Sequence, residues 1–463
     1  MVNRRLPAEL SGGRSLLFSE FSLDLLRIVF ETTLGVSIFG LALVGGKFMF
    51  LVGVQVFAFA SGSLRRPGPV VPALDETDLP HVLVQIPAFN ESEMAAAALR
   101  CAAALDWPRD RLHIQLLDDS TDGSKAIAAV AAADLRAQGY DVQHLCRPHR
   151  AGYKAGALAF GLKRNAAPII AILDVDFRPA ASWLRSIVPV LLADPKAGFL
   201  QSRCEFSNYE VNWLTRAQGL LLDAHFMMEQ AGRARAGWLF QFNGTAGVWR
   251  REAIDAAGGW SGDSLCEDLD LTVRAELAGW HGIFLTEPAV PGLVPERIQH
   301  WRVQQRRWST GFVQVARKLL ARVWASDWSL GKKASATSLI CIQAFYPLAA
   351  IATLSLVMCL LLRGGDPSLY APLLTIAGAV IVVVAFTLTL VPYTALKRGP
   401  FWRYLLTVTS VLPLMIYVSL SNAPSIVQTF FGRRESFKRT PKVMRPMPNQ
   451  GLPAASELEA ERV

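Results

Sequence analysis

Charge is what this sequence has least of. Only 18% of its 463 residues are Asp, Glu, Lys or Arg, against roughly 25% in ordinary soluble domains, so part of the chain must meet something other than water. Cysteine pairing is missing as well. The six cysteines (101, 146, 204, 266, 341 and 359) stand far apart with no C-x-x-C pair. That excludes a disulfide scaffold and a cysteine zinc site, and fits a reducing compartment. No internal repeat is visible, and a hydrophobic content of 52% excludes a disordered chain. The net charge of +9 points to anionic partners, either membrane lipid or phosphorylated ligands. Nucleic acid is not expected, because Lys and Arg gather at the flanks of apolar segments.

The apolar excess is concentrated in two blocks. From Ile28 to Ala60 the only charges are Glu31 and Lys47, which allows one tilted span, too long and too late in the chain for a cleaved signal peptide. A second block from about Ser335 to Phe431 is broken at Arg363-Gly-Gly-Asp-Pro and at Lys397-Arg398-Gly-Pro, giving spans near 336–362, 369–392 and 402–431. Basic flanks at Arg65/Arg66, Lys332/Lys333, Lys397/Arg398 and Arg433–Arg439 are expected on the cytoplasmic side, with the middle of the chain between them. Three passes after Lys333 would export the basic tail, so a reversal inside 402–431, near Asn422-Ala-Pro424, is one solution. Arg4, Arg5 and Arg14 raise the same parity question at the N-terminus.

Between the blocks, strand and helix alternate. Strands are read at His81–Pro87, Leu112–Leu117, Asp141–Leu145 and Ile169–Leu173. Ala-rich helices run to about Ala104 and about Gln138, and another starts near Tyr153. Asn90-Glu-Ser-Glu93 reads as a helix cap with an acidic residue three later. Such alternation builds a mostly parallel sheet covered by helices, with ligands beyond the carboxyl ends of the strands. Glu296–Trp328 interleaves Arg with Ile, Trp, Phe, Val and Leu, the pattern of basic amphipathic helices at a membrane interface.

The polar residues after these strands carry the chemistry. Asp174-Val-Asp176 puts two carboxylates on one side of an extended chain, suited to a hard divalent cation that also takes phosphate oxygens, or to a solvated turn. Asp118-Asp119 reads either as an Asx turn with a helix cap or as acceptors for a nucleobase or ribose. Glu267-Asp268-Leu-Asp270 opens a helix, where acids are favoured by the dipole, and Asp268 is placed to act as a general base. In Gln304-Gln-Arg-Arg307-Trp308 a guanidinium can fork onto a diphosphate and an indole can stack on a sugar. Arg147-Pro-His-Arg-Ala-Gly-Tyr-Lys154 joins basic and small residues, as an approach to phosphates or as a helix start.

In this order, D, D, D and Q-x-x-R-W resemble family 2 glycosyltransferases. Phe242-Asn-Gly-Thr-Ala-Gly-Val-Trp-Arg250 and Gln304–Ser309 narrow the resemblance to the processive cellulose-synthase-like branch, above all its A group of mannan and glucomannan synthases. Phe437-Lys-Arg-Thr-Pro-Lys442 also resembles the tail of such enzymes, while Cys266 stands where cellulose synthases carry Thr.

The resemblance implies a GT-A α/β catalytic domain flanked by transmembrane helices. Its divisions would be an N-terminal segment (1–27), a transmembrane helix (28–64), the catalytic domain (65–295), interface helices (296–333), C-terminal transmembrane helices (334–432) and a basic cytoplasmic tail (433–463). The implied donor residues are Pro87, Asn90, Glu91, Asp118, Asp119, Lys154 and Arg307. Asp174 and Asp176 would hold Mg2+ or Mn2+, Asp268 would be the base, and Glu267, Gln304 and Trp308 would meet the acceptor. The implied reaction is an inverting transfer of hexose from GDP-mannose or UDP-glucose to a growing β-linked polysaccharide. The alternative is a single transfer to a diacylglycerol, ceramide or polyprenyl phosphate. Expected partners are the nucleotide sugar, a glycan acceptor, the bilayer and an export partner of unknown kind. The expected location is the inner cell membrane, multi-pass, with the catalytic domain cytoplasmic.

Overall fold

The computed structural model describes residues 10–60, 74–362, 371–433, 437 and 439–442. Arg4, Arg5, the basic pair Arg65/Arg66, the break at Arg363–Pro367, Arg434, Lys438 and the tail beyond 442 lie outside them.

Seven strands form one sheet: β1 (Val82–Ala88), β2 (Leu112–Asp118), β3 (Asp141–Cys146), β4 (Ile169–Ile172), β5 (Ala197–Phe206), β6 (Gly247–Arg250) and β7 (His281–Gly292). Their order is β3-β2-β1-β4-β6-β5-β7. All neighbours are parallel except β6, which runs antiparallel to β4 and to β5. β1 is buried over nearly its whole length, because both faces are covered by helices and a strand so placed can be apolar on every residue.

The helices are α1 (Leu10–Ala60), α2 (Ser92–Ala103), α3 (Ser124–Ala137), α4 (Tyr153–Leu162), α5 (Trp183–Ala193), α6 (Trp213–Ala224), α7 (Ala231–Arg235), α8 (Arg251–Ala256), α9 (Glu267–Leu277), α10 (Ile298–Ala325), α11 (Leu330–Ile340), α12 (Phe345–Leu362), α13 (Ala371–Ala395) and α14 (Phe401–Phe430). A π-helical turn, His225–Gln230, joins α6 to α7. The basic stretch read as one or two helices is one, α10, of 28 residues. The expected cap at Asn90 does not form: the N-cap of α2 is Glu91, without a side-chain bond. Asn90 instead takes a φ of 57° and its side chain accepts from Thr121 N at 2.8 Å, fastening the β1 turn to the β2 turn.

Among the described residues three helices are long and apolar enough to cross a membrane, within Ser22–Gln55, Ile342–Leu362 and Phe401–Phe430, and α13 is a further apolar helix of 25 residues. They do not pack alike. In α1, Phe30, Leu34 and Ile38 pair with Ala352, Leu356 and Cys359 of α12, but its later turns lie on the sheet domain: Phe50 stacks on Trp238 at 4.6 Å and Gln55 donates to Met227 O at 2.7 Å. α14 is continuous, so the expected reversal near Asn422–Pro424 is absent. Its buried positions, Tyr404, Thr407, Leu414, Val418, Asn422, Ser425 and Thr429, fall on one face. That face runs along the sheet domain and its interface helices from end to end. Arg403, at the start, pairs with Glu210 at 3.2 Å. Leu414 and Val418 pack on Leu214, Ala217 and Trp301, and Thr429 O accepts from Arg317 at 3.1 Å. Just before α14, Arg398 forks onto the fully buried Asp223 of α6 at 2.8 and 2.9 Å.

Candidate active site

The carboxyl ends of β1, β2 and β4 open into one cavity of about 490 Å³ that continues past α9 and α10 to the first turns of α12. Pro87, Glu91, Asp119, Lys154, Asp174, Asp176, Glu267, Asp268, Gln304, Arg307 and Trp308 all line it. Asp118 and Asn90 do not. Asp118 is buried, taking Ser120 N at 2.9 Å and facing His144 Nε2 at 2.9 Å. Burial would raise its carboxyl, but these bonds hold it below its usual range. Of the two residues, Asp118 is thus the turn cap and Asp119 the one facing the cavity, where Arg147 Nε bonds it at 2.9 Å.

At the strand ends, carboxylates and cations are interleaved. Lys154 Nζ meets Asp174 Oδ1 at 2.6 Å and Gly244 O at 2.9 Å, with Glu267 at 3.9 Å. Burial would lower the Lys154 ammonium, but Asp174 and Glu267 raise it instead. Glu91 is pushed up to about 7 by burial and then by the charge of Asp176. Three carboxylates close enough to disturb one another, with Lys154 on Asp174 and Lys442 on Asp176, form a wall that takes positive charge. Hard oxygen donors of this kind are what a Mg2+-like or Mn2+-like ion takes.

Asp268 stands in the first turn of α9, its Oδ1 accepting from Leu269 N at 2.8 Å. Burial, then the neighbouring Glu267 charge, pushes it up to about 7, and burial raises Glu267 too. The two share one low-dielectric site and titrate as a pair. α9 can come this close to α10 only because residue 311 is glycine. A Cβ there would lie 2.4 Å from Cys266 Sγ and 2.8 Å from Cys266 N. The approach brings the start of α9 against α10, with Cys266 Sγ 3.7 Å from Trp308 O, and sets Asp268 in the same cavity as Arg307 and Trp308.

Beyond Asp268 the lining changes character. Gln218, Gln241, Gln304, Gln305 and Gln343 supply amides, and Trp301, Trp308 and Tyr346 supply rings. Gln241 Oε1 is buried without a hydrogen-bond partner among the described residues. Neutral donors and acceptors beside flat apolar faces are what sugar rings require.

Several cavity residues carried no site role in the sequence reading. Arg150 lies 3.5 Å from the centre of the Phe89 ring and 4.8 Å from that of Phe437, and Arg307 lies 4.9 Å over Phe437. Residues 437 and 439–442 therefore lie over the cavity: Arg439 faces Glu91 at 3.7 Å, and Lys442 pairs with Asp176. The alternation of Phe, Thr and bases in 437–442 was the available signal. Its target was not readable, because the contact spans more than 250 residues of sequence.

A family model described as glycosyl transferase family group 2 matches residues 169–431, more than half of the chain. The chain belongs to this family. Among its relatives, glucomannan 4-beta-mannosyltransferase 2 of Arabidopsis thaliana is 41% identical over 254 residues, 54% of this chain and 48% of that protein. A probable glucomannan 4-beta-mannosyltransferase 4 of Oryza sativa subsp. japonica is 41% identical over 248 residues, 53% of this chain and 45% of that protein. The chain thus spans about half the length of the curated relatives it matches. A mannosyltransferase from Pyrobaculum calidifontis, solved in complex with GDP-Man and Mn2+, shares the fold at a TM-score of 0.52 and 20% identity, over 88% of this chain and 99% of that one. The α/β domain of this glycosyltransferase is therefore GT-A.

Proposed function

We propose that this glycosyltransferase is an inverting mannosyltransferase that moves mannose from GDP-mannose to the non-reducing end of a β-linked mannan or glucomannan. The observation that carries the reading is Asp268. A carboxylate pushed up to about 7 stands where the charged half of the cavity meets the half of amides and rings. The names of the relatives supply the sugar and the linkage.

In this reading Asp268 takes the proton of the acceptor hydroxyl as its oxygen attacks the anomeric carbon and the bond to the diphosphate breaks. A carboxylate tuned near neutrality is a strong enough base to take such a proton and is still about half ionised at pH 7. Lys154, Arg307, Arg439 and Lys442 meet the charge left on the nucleoside diphosphate. When bound, a divalent cation held by Asp174 and Asp176 adds charge neutralisation at the same diphosphate. Asp119, with Arg147 behind it, faces the nucleoside, and Trp308, Glu267 and Gln304 face the acceptor sugar.

The placement of α14 supports an orientation. Its start and the loop before it touch the sheet domain and its end touches α10, which supports 397–403, 429–433 and 439–442 lying on the side of the active site. α12 and α13 then form a pair of crossings, α1 a further one, and α14 lies along the interface. This removes the parity conflict of three crossings after Lys333. The basic residues Lys397, Arg398 and Arg403 support a cytoplasmic side, where nucleotide sugars are found, for a protein of the inner cell membrane.

Incubating purified protein with GDP-mannose, UDP-glucose and UDP-N-acetylglucosamine in turn, then digesting the product with linkage-specific glycanases, tests the reading. A mannanase-sensitive polymer from GDP-mannose is expected. A single sugar on lipid would instead support glycolipid synthesis.

A further inference from the structure

The membrane helix α1 carries one charge in its later half, Lys47, and that charge is not at a lipid surface. Its side chain is only 6% exposed, and Nζ meets Glu229 Oε1 at 2.9 Å, in the π turn between α6 and α7. Arg233, fully buried, reaches the same oxygen at 3.4 Å. Burial would push the Glu229 carboxyl up, but Lys47, His225 and Arg233 hold it well below the usual carboxylate range. Its second oxygen faces His225 Nδ1 at 3.1 Å. A buried ion pair is seldom the most stable way to join a helix to a domain, since apolar residues of like volume often do better. Its presence asks for another reason.

Hydrogen-bond directions supply one. Gln230 Nε2 donates to Asn243 Oδ1 at 2.8 Å, so the Asn243 amide nitrogen is the atom facing His225 Nε2 at 3.3 Å. Nε2 must then accept, and Nδ1 carries the proton donated to Glu229. The chain of contacts ends on the turn Asn243–Thr245. There Gly244 O takes Lys154 at 2.9 Å, and Thr245 Oγ1 takes Asp174 N at 2.9 Å. Gly244 itself, at φ +78°, stands so close that a Cβ would be 3.1 Å from Asp268 Oδ2. His225 and Glu229, four apart, lie on one face of the turn, and both line the cavity while Glu229 reaches back to α1.

We infer that α1 is a working part of the active site: Lys47, through Glu229, fixes His225 in one tautomer, and His225 with Asn243 positions the turn against which Lys154 and Asp268 are set. Lys47, Glu229 and His225 are positioning residues for acceptor transfer. The inference rests on the mannosyltransferase reading for its kinetic consequence, but not for its structural one.

The test uses the full-length protein in detergent, as Lys47→Met, Lys47→Arg, His225→Phe and the double variant Lys47→Met/His225→Phe. Hydrogen exchange needs no substrate. Amides of the 241–247 segment should exchange about tenfold faster in Lys47→Met, while those of β1 remain unchanged. GDP affinity should stay within about threefold in both single variants, while transfer from GDP-mannose to β-mannotetraose falls about tenfold or more. The double variant should be within about threefold of the poorer single one, because links of one relay do not add, and Lys47→Arg should recover most of the rate. Unchanged exchange at 241–247, losses that multiply, or GDP affinity falling in step with transfer would each overturn the relay. If Lys47→Met does not fold, His225→Phe and Lys47→Arg carry the same comparison. Wild-type protein that transfers nothing to mannotetraose would count against the mannosyltransferase reading, and the exchange result would still decide the relay.

Discussion

Substituting Gly311 by Ala should disable transfer without removing any polar side chain. The added methyl would sit 2.4 Å from Cys266 Sγ and 2.8 Å from Cys266 N, whereas ordinary contact begins near 3.4 Å. The shortfall is about 1 Å against sulfur and somewhat less against backbone, so the start of α9 must shift away from α10. That start carries Glu267 and Asp268, and α10 carries Arg307 and Trp308. A misplacement of about 1 Å between reacting groups costs roughly 10²-fold in rate, and overpacking a helix contact costs about 1–3 kcal/mol of stability. Steady-state kinetics should therefore show kcat down about a hundredfold, with KM for the donor changed far less, because the strand-end residues do not move. Cys266→Ala in the Gly311→Ala background removes the sulfur but leaves the backbone contact, so recovery should be partial. Wild-type kcat in Gly311→Ala would show that the close approach of α9 and α10 does not set the geometry of Asp268.

Three further outcomes follow from the same geometry. Since Asp268 must be ionised to accept a proton and is pushed up to about 7, transfer should fall as pH drops through about 7, and Asp268→Asn should lose both that limb and about 10²-fold or more of the rate. Arg307→Ala should weaken GDP binding through the loss of a charge-assisted phosphate contact, whereas Trp308→Ala should spare GDP and lose acceptor transfer, as calorimetry beside a transfer assay can separate. Arg398→Met leaves the fully buried Asp223 carboxylate without its fork, and should cost about 3–5 kcal/mol in chemical unfolding, with Asp223→Asn/Arg398→Met recovering much of it.

The sequence made the parallel half of the sheet legible because each of β1, β2 and β4 is an apolar run followed by a polar turn. A strand covered on both faces is mostly apolar, the buried Gln85 and Gln115 being tolerated because they bond each other at 3.0 Å. The same logic put Glu91, Asp119, Asp174 and Asp176 at one edge before any coordinates. The antiparallel insertion of β6 between β4 and β5 was not legible, since strand order depends on which edge a distant segment meets. Asn90 misled for a local reason: its side chain serves the β2 turn through Thr121 rather than the helix it precedes. The segment 402–431 was legible as a span, since it is an apolar helix of 30 residues long enough to cross a membrane; what the sequence did not show is that it continues through Asn422–Pro424 without reversing. Lys47 read as a stray charge in a span because its partner is 182 residues away.

The most direct measurement gives detergent-purified protein GDP-mannose, a divalent cation and β-mannotetraose, beside Asp268→Asn, with product analysed by mass spectrometry and endo-β-mannanase digestion. Elongated, mannanase-sensitive chains from the wild type, and none from a variant that still binds GDP, are the expected result. No mannose on the glycan, or elongation by Asp268→Asn at the wild-type rate, would contradict the assignment of this cavity as a mannosyltransferase site with Asp268 as its base.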